Sequence, residues 1–245
     1  MLAEVMHGEV PKKMEAMVRQ FPPETRANAQ QNLERLWQAG VETYDDLLAV
    51  AEGEYEVTLR EIACSNLARL GDRRALPTLA RCLVAESDQL RCEAARCLGN
   101  LGDADAIAPL VQCLESDGNS HVRMYAAHAL GVIADESAFE PLRAALHRSD
   151  EEPHVRGMAA ESLACLFDRR AIDELLLVLD DPSAEVRYWA VFALGQLGDA
   201  SLIPWLRPLL EDHECPPGLI PISEEVAHTI EDLEHSTEER DPSDD

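Results

Sequence analysis

Apolar residues recur along this chain on two scales. Within short stretches they fall three or four positions apart, the spacing of one helix face, and the stretches themselves return every 31 to 33 residues. The copies read LREIACSNLARLGD at 59–72, LRCEAARCLGNLGD at 90–103, VRMYAAHALGVIAD at 122–135, VRGMAAESLACLFD at 155–168 and VRYWAVFALGQLGD at 186–199. In the last copy Val186, Ala190, Ala193, Leu194 and Leu197 share one side of a helix. Small alanines on that side permit close helix packing.

Each phrase is followed by a polar turn and a second, shorter apolar stretch, which in four of the five opens near a proline, as in DRRALPTL at 72–79, DADAIAPL at 103–110 and DESAFEPL at 135–142; in DRRAIDEL at 168–175 Glu174 replaces the proline. Proline is tolerated in a helix's first turn, where its missing N–H has no intrahelical partner. The polar links that come next, such as SDGNS at 116–120 and DDPSAE at 180–185, supply Ser, Asp and Asn caps for the helix that carries the phrase. Each unit is therefore a pair of antiparallel helices that buries its apolar stripe against its neighbours.

The expected fold is all-α: a right-handed α-solenoid of about five to six helical hairpins with atypical capping ends. Residues 1–42 form an N-terminal helical cap, with a helix from Glu24 to Gln38, and 43–211 form the repeat array. Residues 212–235 form a capping turn, at Cys215-Pro216-Pro217-Gly218, and a last helix. The acidic stretch 236–245 is expected to be disordered. The recurrent Arg60, Arg91, Arg123, Arg156 and Arg187 and the closing Asp72, Asp103, Asp135, Asp168 and Asp199 keep the same intervals, and are expected to pair as a structural ladder.

Charge narrows the partners. With 47 acidic against 21 basic residues the formal net charge is −26, which repels phosphate backbones and anionic membranes. A protein partner with a basic surface is one reading of this charge, and solubility or a salty cytoplasm is the other; nucleic acid and membrane are not expected. No basic-then-apolar leader opens the sequence, and the seven cysteines lie in helical surroundings, so a cytoplasmic setting with reduced thiols is expected.

The D-x-x-A-[LI]-x-P-L opening and the VR-x-x-A-A-x-x-LG-x-LGD closing resemble HEAT repeats, in particular the short phycobilin-lyase-type subclass, over about 43–211. The resemblance implies the solenoid fold. For function it implies either a non-catalytic scaffold or adaptor, a subunit of a bilin lyase or related cofactor-handling factor, or a structural subunit of a larger assembly. Deoxyhypusine hydroxylase, also built of such repeats, holds two irons through His-Glu pairs on its repeat helices. The one His-Glu dipeptide of this chain is His213-Glu214, in the Cys-Pro-Pro region, so that activity is not expected.

Catalytic machinery is not visible, and neither a metal nor a cofactor is expected. His121 and His154 hold equivalent places one repeat apart, but first-turn polar residues are ordinarily solvated, and no C-x-x-C is present. The cysteines read as buried small side chains. In HEAT-like solenoids the phrase-bearing helices line the concave face. The residues there, just after each arginine, run from polar near the N-terminus to Met124, Tyr125, His128, Tyr188, Trp189 and Phe192. These six are the expected protein-binding residues, with Gly157 making room among them and Tyr188 and Phe192 pointing outward.

Overall fold

The computed structural model describes residues 43–238 without interruption, together with 34–36, 38, 40 and 41. Glu34–Leu36 and Gln38 are helical; the rest of the expected N-terminal helix, and residues 239–245, lie outside the described residues. All regular structure among the described residues is helical. The chain divides into two compact units, residues 1–97 and 98–245.

In the first unit, α1 (Tyr44–Glu52) and α2 (Val57–Arg69) pack as a hairpin, followed by α3 (Leu76–Cys82) and by α4 (Asp88–Leu101), which runs past the unit's boundary. A capping box starts α1: the Asp46 N–H donates to Thr43 Oγ1 (3.2 Å), and the Thr43 N–H donates to the Asp46 carboxylate (2.8 Å). Leu47, Leu67, Leu79 and Leu90 are fully buried, each contributing roughly 1.5–3 kcal/mol of apolar burial.

The second unit holds α5 (Ile107–Ser116) with α6 (Ser120–Ile133), α7 (Phe139–His147) with α8 (Pro153–Cys165), and α9 (Arg170–Leu176) with α10 (Ala184–Leu197). A short α11 (Ile203–Leu206) and a 3₁₀ turn (Arg207–Glu211) precede α12 (Ile222–Glu238). The phrase-bearing helices pack on one another in sequence, α6 on α8 and α8 on α10, and α12 takes the next place against α10. That last helix, read from the sequence as Ser223 to Leu233, starts one residue earlier and ends five residues later, so 236–238, expected to be disordered, are helical.

The closing aspartates have a role different from the one expected. Asp72, Asp103, Asp135, Asp168 and Asp199 each accept a hydrogen bond from the backbone N–H two residues on, at 3.0, 3.1, 2.9, 2.9 and 3.0 Å. Four of these bonds open a 3₁₀ turn that feeds the next helix, and at Asp168 the bond leads directly into α9. The arginines turn elsewhere, to carbonyls at or just beyond the end of the preceding short helix: Arg60 to Ala51 (2.9 Å), Arg91 to Ala85 (2.9 Å), Arg123 to Asp117 (2.6 Å), Arg156 to Leu146 (2.9 Å) and Arg187 to Asp181 (2.7 Å). Arg123, Arg156 and Arg187 also bind a carboxylate from the following link: Glu151, Asp181 and Asp212. The expected Arg–Asp ladder is thus two devices. One is an arginine clamp across each link and the other an aspartate-capped turn.

Glycines within the phrase set the distance between stacked helices. A Cβ on Gly99 would lie 2.9 Å from Ala129 Cα, and one on Gly131 would lie 2.9 Å from Ser162 Cα. Backbone cannot yield as a side-chain tip can, so both positions need a bare Cα.

Candidate functional site

On α6, α8 and α10 the residues that follow the clamp arginines occupy equivalent places in successive repeats. Met124 and Tyr125 on α6 are half-buried, and His128, one turn on, is exposed. Met158, Glu161 and Cys165 follow on α8, all half-buried, and Trp189 and Phe192 on α10 are half-buried too. The sequence places these side chains on one face because the opposite side of each helix is spent on the alanine and leucine core: Ala126, Leu130, Ala160, Leu163, Ala190 and Leu194 are fully buried.

Trp189 is the centre of an aromatic group. Its ring meets Tyr188 edge-on at 5.4 Å and 86°, and Phe192 edge-on at 5.5 Å and 88°. Edge-to-face pairs at such separations are favourable by about 0.5–1.5 kcal/mol beyond burial. Gly157 makes the space: a Cβ there would stand 2.6 Å from Trp189 Cδ1. The expected role of Gly157 therefore holds in detail.

Tyr188 departs from the expectation that it points outward. It is 8% exposed, and its hydroxyl donates to Glu225 of α12 at 2.9 Å. The cause is the C-terminal helix, which lacks the repeated phrase yet packs on α10. Burial, followed by the hydrogen bond and charge of Glu225, pushes the Tyr188 phenol up to about 12. Tyr188 is thus the buried member of the aromatic group.

Glu161 is the residue that the sequence reading left out of the site. It makes neither a hydrogen bond nor an ion pair with the described residues, and burial raises its carboxyl above the ordinary range, the nearby His128 opposing. Burial and then Glu161 push the Cys165 thiol up, away from the thiolate that nucleophilic chemistry needs. Its place five residues after Arg156, equivalent to His128 and Phe192, was the available signal.

The corresponding face of the first unit is already self-satisfied. Arg96 donates to Glu93 (2.5 and 2.9 Å) and to Ser65 Oγ (3.0 Å), while the Ser65 hydroxyl donates to Glu93 (2.5 Å). Nearby, the Cys64 and Cys82 sulfurs lie 3.8 Å apart in the core. Cys64, Cys82, Cys97 and Cys113 are buried, Cys92 and Cys165 half-buried, and Cys215 is exposed.

The sequence's other chemical candidates are placed as follows. The His121 and His154 rings come together with centroids 5.1 Å apart. Glu214 pairs with Arg187 at 3.1 Å, and His213 Nδ1 lies 3.1 Å from Ser223 Oγ. Among the described residues no group of three or more His, Cys, Asp or Glu is placed to hold a metal ion, and no helix is long and apolar enough to cross a membrane.

Comparison with known proteins fits this architecture. The sequence profile of HEAT repeats matches residues 44–131, 107–180 and 172–236. The chain is similar to phycocyanobilin lyase subunit alpha of Picosynechococcus sp., 34% identical over 146 residues, 53% of this chain and 54% of that protein. It is also similar to the deoxyhypusine hydroxylase of Candida glabrata, 27% identical over 196 residues, 67% of this chain and 61% of that protein. The chain thus spans between half and two thirds of the length of these relatives. Among solved structures it is similar to the complex of CpcE and CpcF of phycocyanin lyase from Nostoc sp., with a TM-score of 0.48, 22% identity and coverage of 95% of this chain and 98% of that one.

Proposed function

This chain belongs to the HEAT-repeat family, and on that premise we propose that it acts by binding a partner protein on the shared face of α6, α8 and α10. Met124, Tyr125, His128, Trp189 and Phe192 make the contacts in this reading, and the buried Tyr188 packs edge-on against Trp189. The observation that carries it is the aromatic group itself. Trp189 stands over Gly157 with Phe192 edge-on beside it, and both rings keep part of their surface open to solvent. Large, rigid aromatics in a partly desolvated setting are the usual anchors of protein interfaces. The chain itself supplies no catalytic group in this reading, and its setting is cytoplasmic.

Affinity capture with wild type beside a Tyr125→Ala/Phe192→Ala variant of matched melting temperature tests the reading. A partner held by wild type and lost by the variant supports it. Equal retention moves the interface elsewhere.

A second reading is favoured by the 34% identity to a phycocyanobilin lyase subunit: the chain is the protein-binding subunit of a bilin-attaching or related cofactor-handling assembly. A bilin's propionates need cations. On the first unit's face Arg96 is engaged by Glu93, and on the second Arg123, Arg156 and Arg187 are engaged in the link clamps, so the bilin would be held chiefly by another subunit. Titration with phycocyanobilin separates the two roles. Unchanged pigment absorbance fits the protein-binding role, and a saturable red shift with this chain alone assigns it the pigment.

A further inference from the structure

We propose that the face of α6, α8 and α10 receives an arginine side chain of a basic partner, its guanidinium paired with Glu161 and packed on the rings of Trp189 and Phe192. This rests on the protein-binding reading above and gives the partner its chemistry.

Three observations converge. The Glu161 carboxylate is half-buried with no hydrogen-bond or ion-pair partner among the described residues, and burial keeps its proton affinity high. A charge so placed is costly unless a cation reaches it. The chain's own cations do not pair with it: His128 lies close enough to oppose the effect of burial but makes no ion pair, and Arg123, Arg156 and Arg187, at the starts of the same helices, are locked into the link clamps. Finally, Phe192 is the equivalent of Glu161 on the next helix, and Trp189 covers Gly157, one turn before Glu161. Carboxylate and aromatic faces therefore lie side by side.

Together they match a guanidinium better than an ammonium. Arginine is planar and weakly hydrated, stacks on aromatic rings and keeps edge N–H groups for a carboxylate, whereas lysine offers a strongly hydrated point charge. The net charge of −26 would steer a basic segment toward the protein from a distance, and the face would then select arginine at contact.

The test uses synthetic peptides on the full chain. The three tryptophans are Trp37, Trp189 and Trp205, so a Trp37→Phe/Trp205→Phe background leaves Trp189 as the reporter. Hexa-arginine is expected to change Trp189 emission saturably and more tightly than hexa-lysine, and hexa-glutamate to have no effect. Glu161→Gln is expected to weaken hexa-arginine by about tenfold. Glu231→Gln, at an exposed acid of α12, is expected to leave binding within about twofold. Phe192→Leu keeps the carboxylate but removes a ring, and is expected to erase the preference for arginine over lysine. Equal weakening by Glu161→Gln and Glu231→Gln, or peptide binding without a Trp189 response, would overturn the proposal in favour of diffuse attraction. A partner protein lost by Tyr125→Ala/Phe192→Ala yet retained by Glu161→Gln would overturn the arginine pocket alone and leave the protein-binding reading standing.

Discussion

The Tyr188 hydroxyl donates a 2.9 Å hydrogen bond to Glu225, joining the last repeat helix to the C-terminal helix. This contact explains why an aromatic in a face-lining position is buried, and it links the cap to the aromatic group above. Tyr188→Phe keeps the ring and removes the bond. It is expected to cost about 1–2 kcal/mol, seen as a lower melting temperature with unchanged helicity. The phenol's raised value gives the contact a pH signature. Its folded pKa, about 12, lies above the ordinary 10.0, so the stabilisation is complete below pH 10 and is lost as pH rises toward 12. Burial and the charge of Asp72 raise the Tyr44 phenol as well, so phenolate absorbance during alkaline titration should show two late tyrosines in wild type and one in the variant.

The Arg123–Glu151 clamp should matter more. The Glu151 side chain is 2% exposed and accepts two bonds from Arg123, at 2.5 and 2.8 Å. Burial alone would raise its carboxyl, but the hydrogen bonds from Arg123 and the Glu152 N–H, with the charges of Arg123 and Arg148, hold it below the ordinary 4.5. A depressed folded pKa means stability that is present above pH 4.5 and lost as pH falls through the folded value. Glu151→Ala should cost about 3 kcal/mol at neutral pH by leaving Arg123 unpaired, and should flatten the acid limb of the stability profile. Urea titrations at several pH values would show both effects.

Helix propensity and packing make opposite predictions at Gly131. On propensity alone Gly→Ala in a helix interior is favourable by about 1 kcal/mol. The new Cβ, however, would lie 2.9 Å from Ser162 Cα. Packing should win, and Gly131→Ala should destabilise by about 1–3 kcal/mol. The equivalent Ala164 already carries a methyl group, and Ala164→Gly should lose stability through propensity and the lost methyl. Denaturant midpoints of the two variants decide between these effects.

Phe167 holds a left-handed backbone, φ 52°, with its side chain 77% exposed. Glycine fills the same place at Gly71 and Gly102, at φ 65° and 68°. Left-handed backbone costs a side-chain-bearing residue about 1–2 kcal/mol. Phe167→Gly should therefore raise the melting temperature; a fall would show that the ring makes compensating contacts.

The repeat and its hairpins were legible because every unit spends the same residues on the same task. Leucines and alanines face the core, an aspartate opens each turn and, in four of the five, a proline sits in the helix's first turn. The clamp partners were not legible. Glu151, Asp181 and Asp212 come from links of differing length, 28, 25 and 25 residues beyond their arginines, so no period marks them. The aspartates that do keep the period were mistaken for the partners. Tyr188 was misjudged for a related reason: what covers it is a helix outside the repeat. Glu161 was overlooked because a single carboxylate among aromatics reads as surface until its burial and missing partner are seen.

The face of α6, α8 and α10 as the place where a partner protein sits is the central claim. Its most direct test is a photo-crosslinking amino acid placed in turn at 192, on that face, and at 205, where Trp205 is 60% exposed on the short helix α11. Irradiation in the native cell should give a discrete adduct of higher mass from position 192 and none from 205. An adduct from 205 with none from 192 would contradict the account.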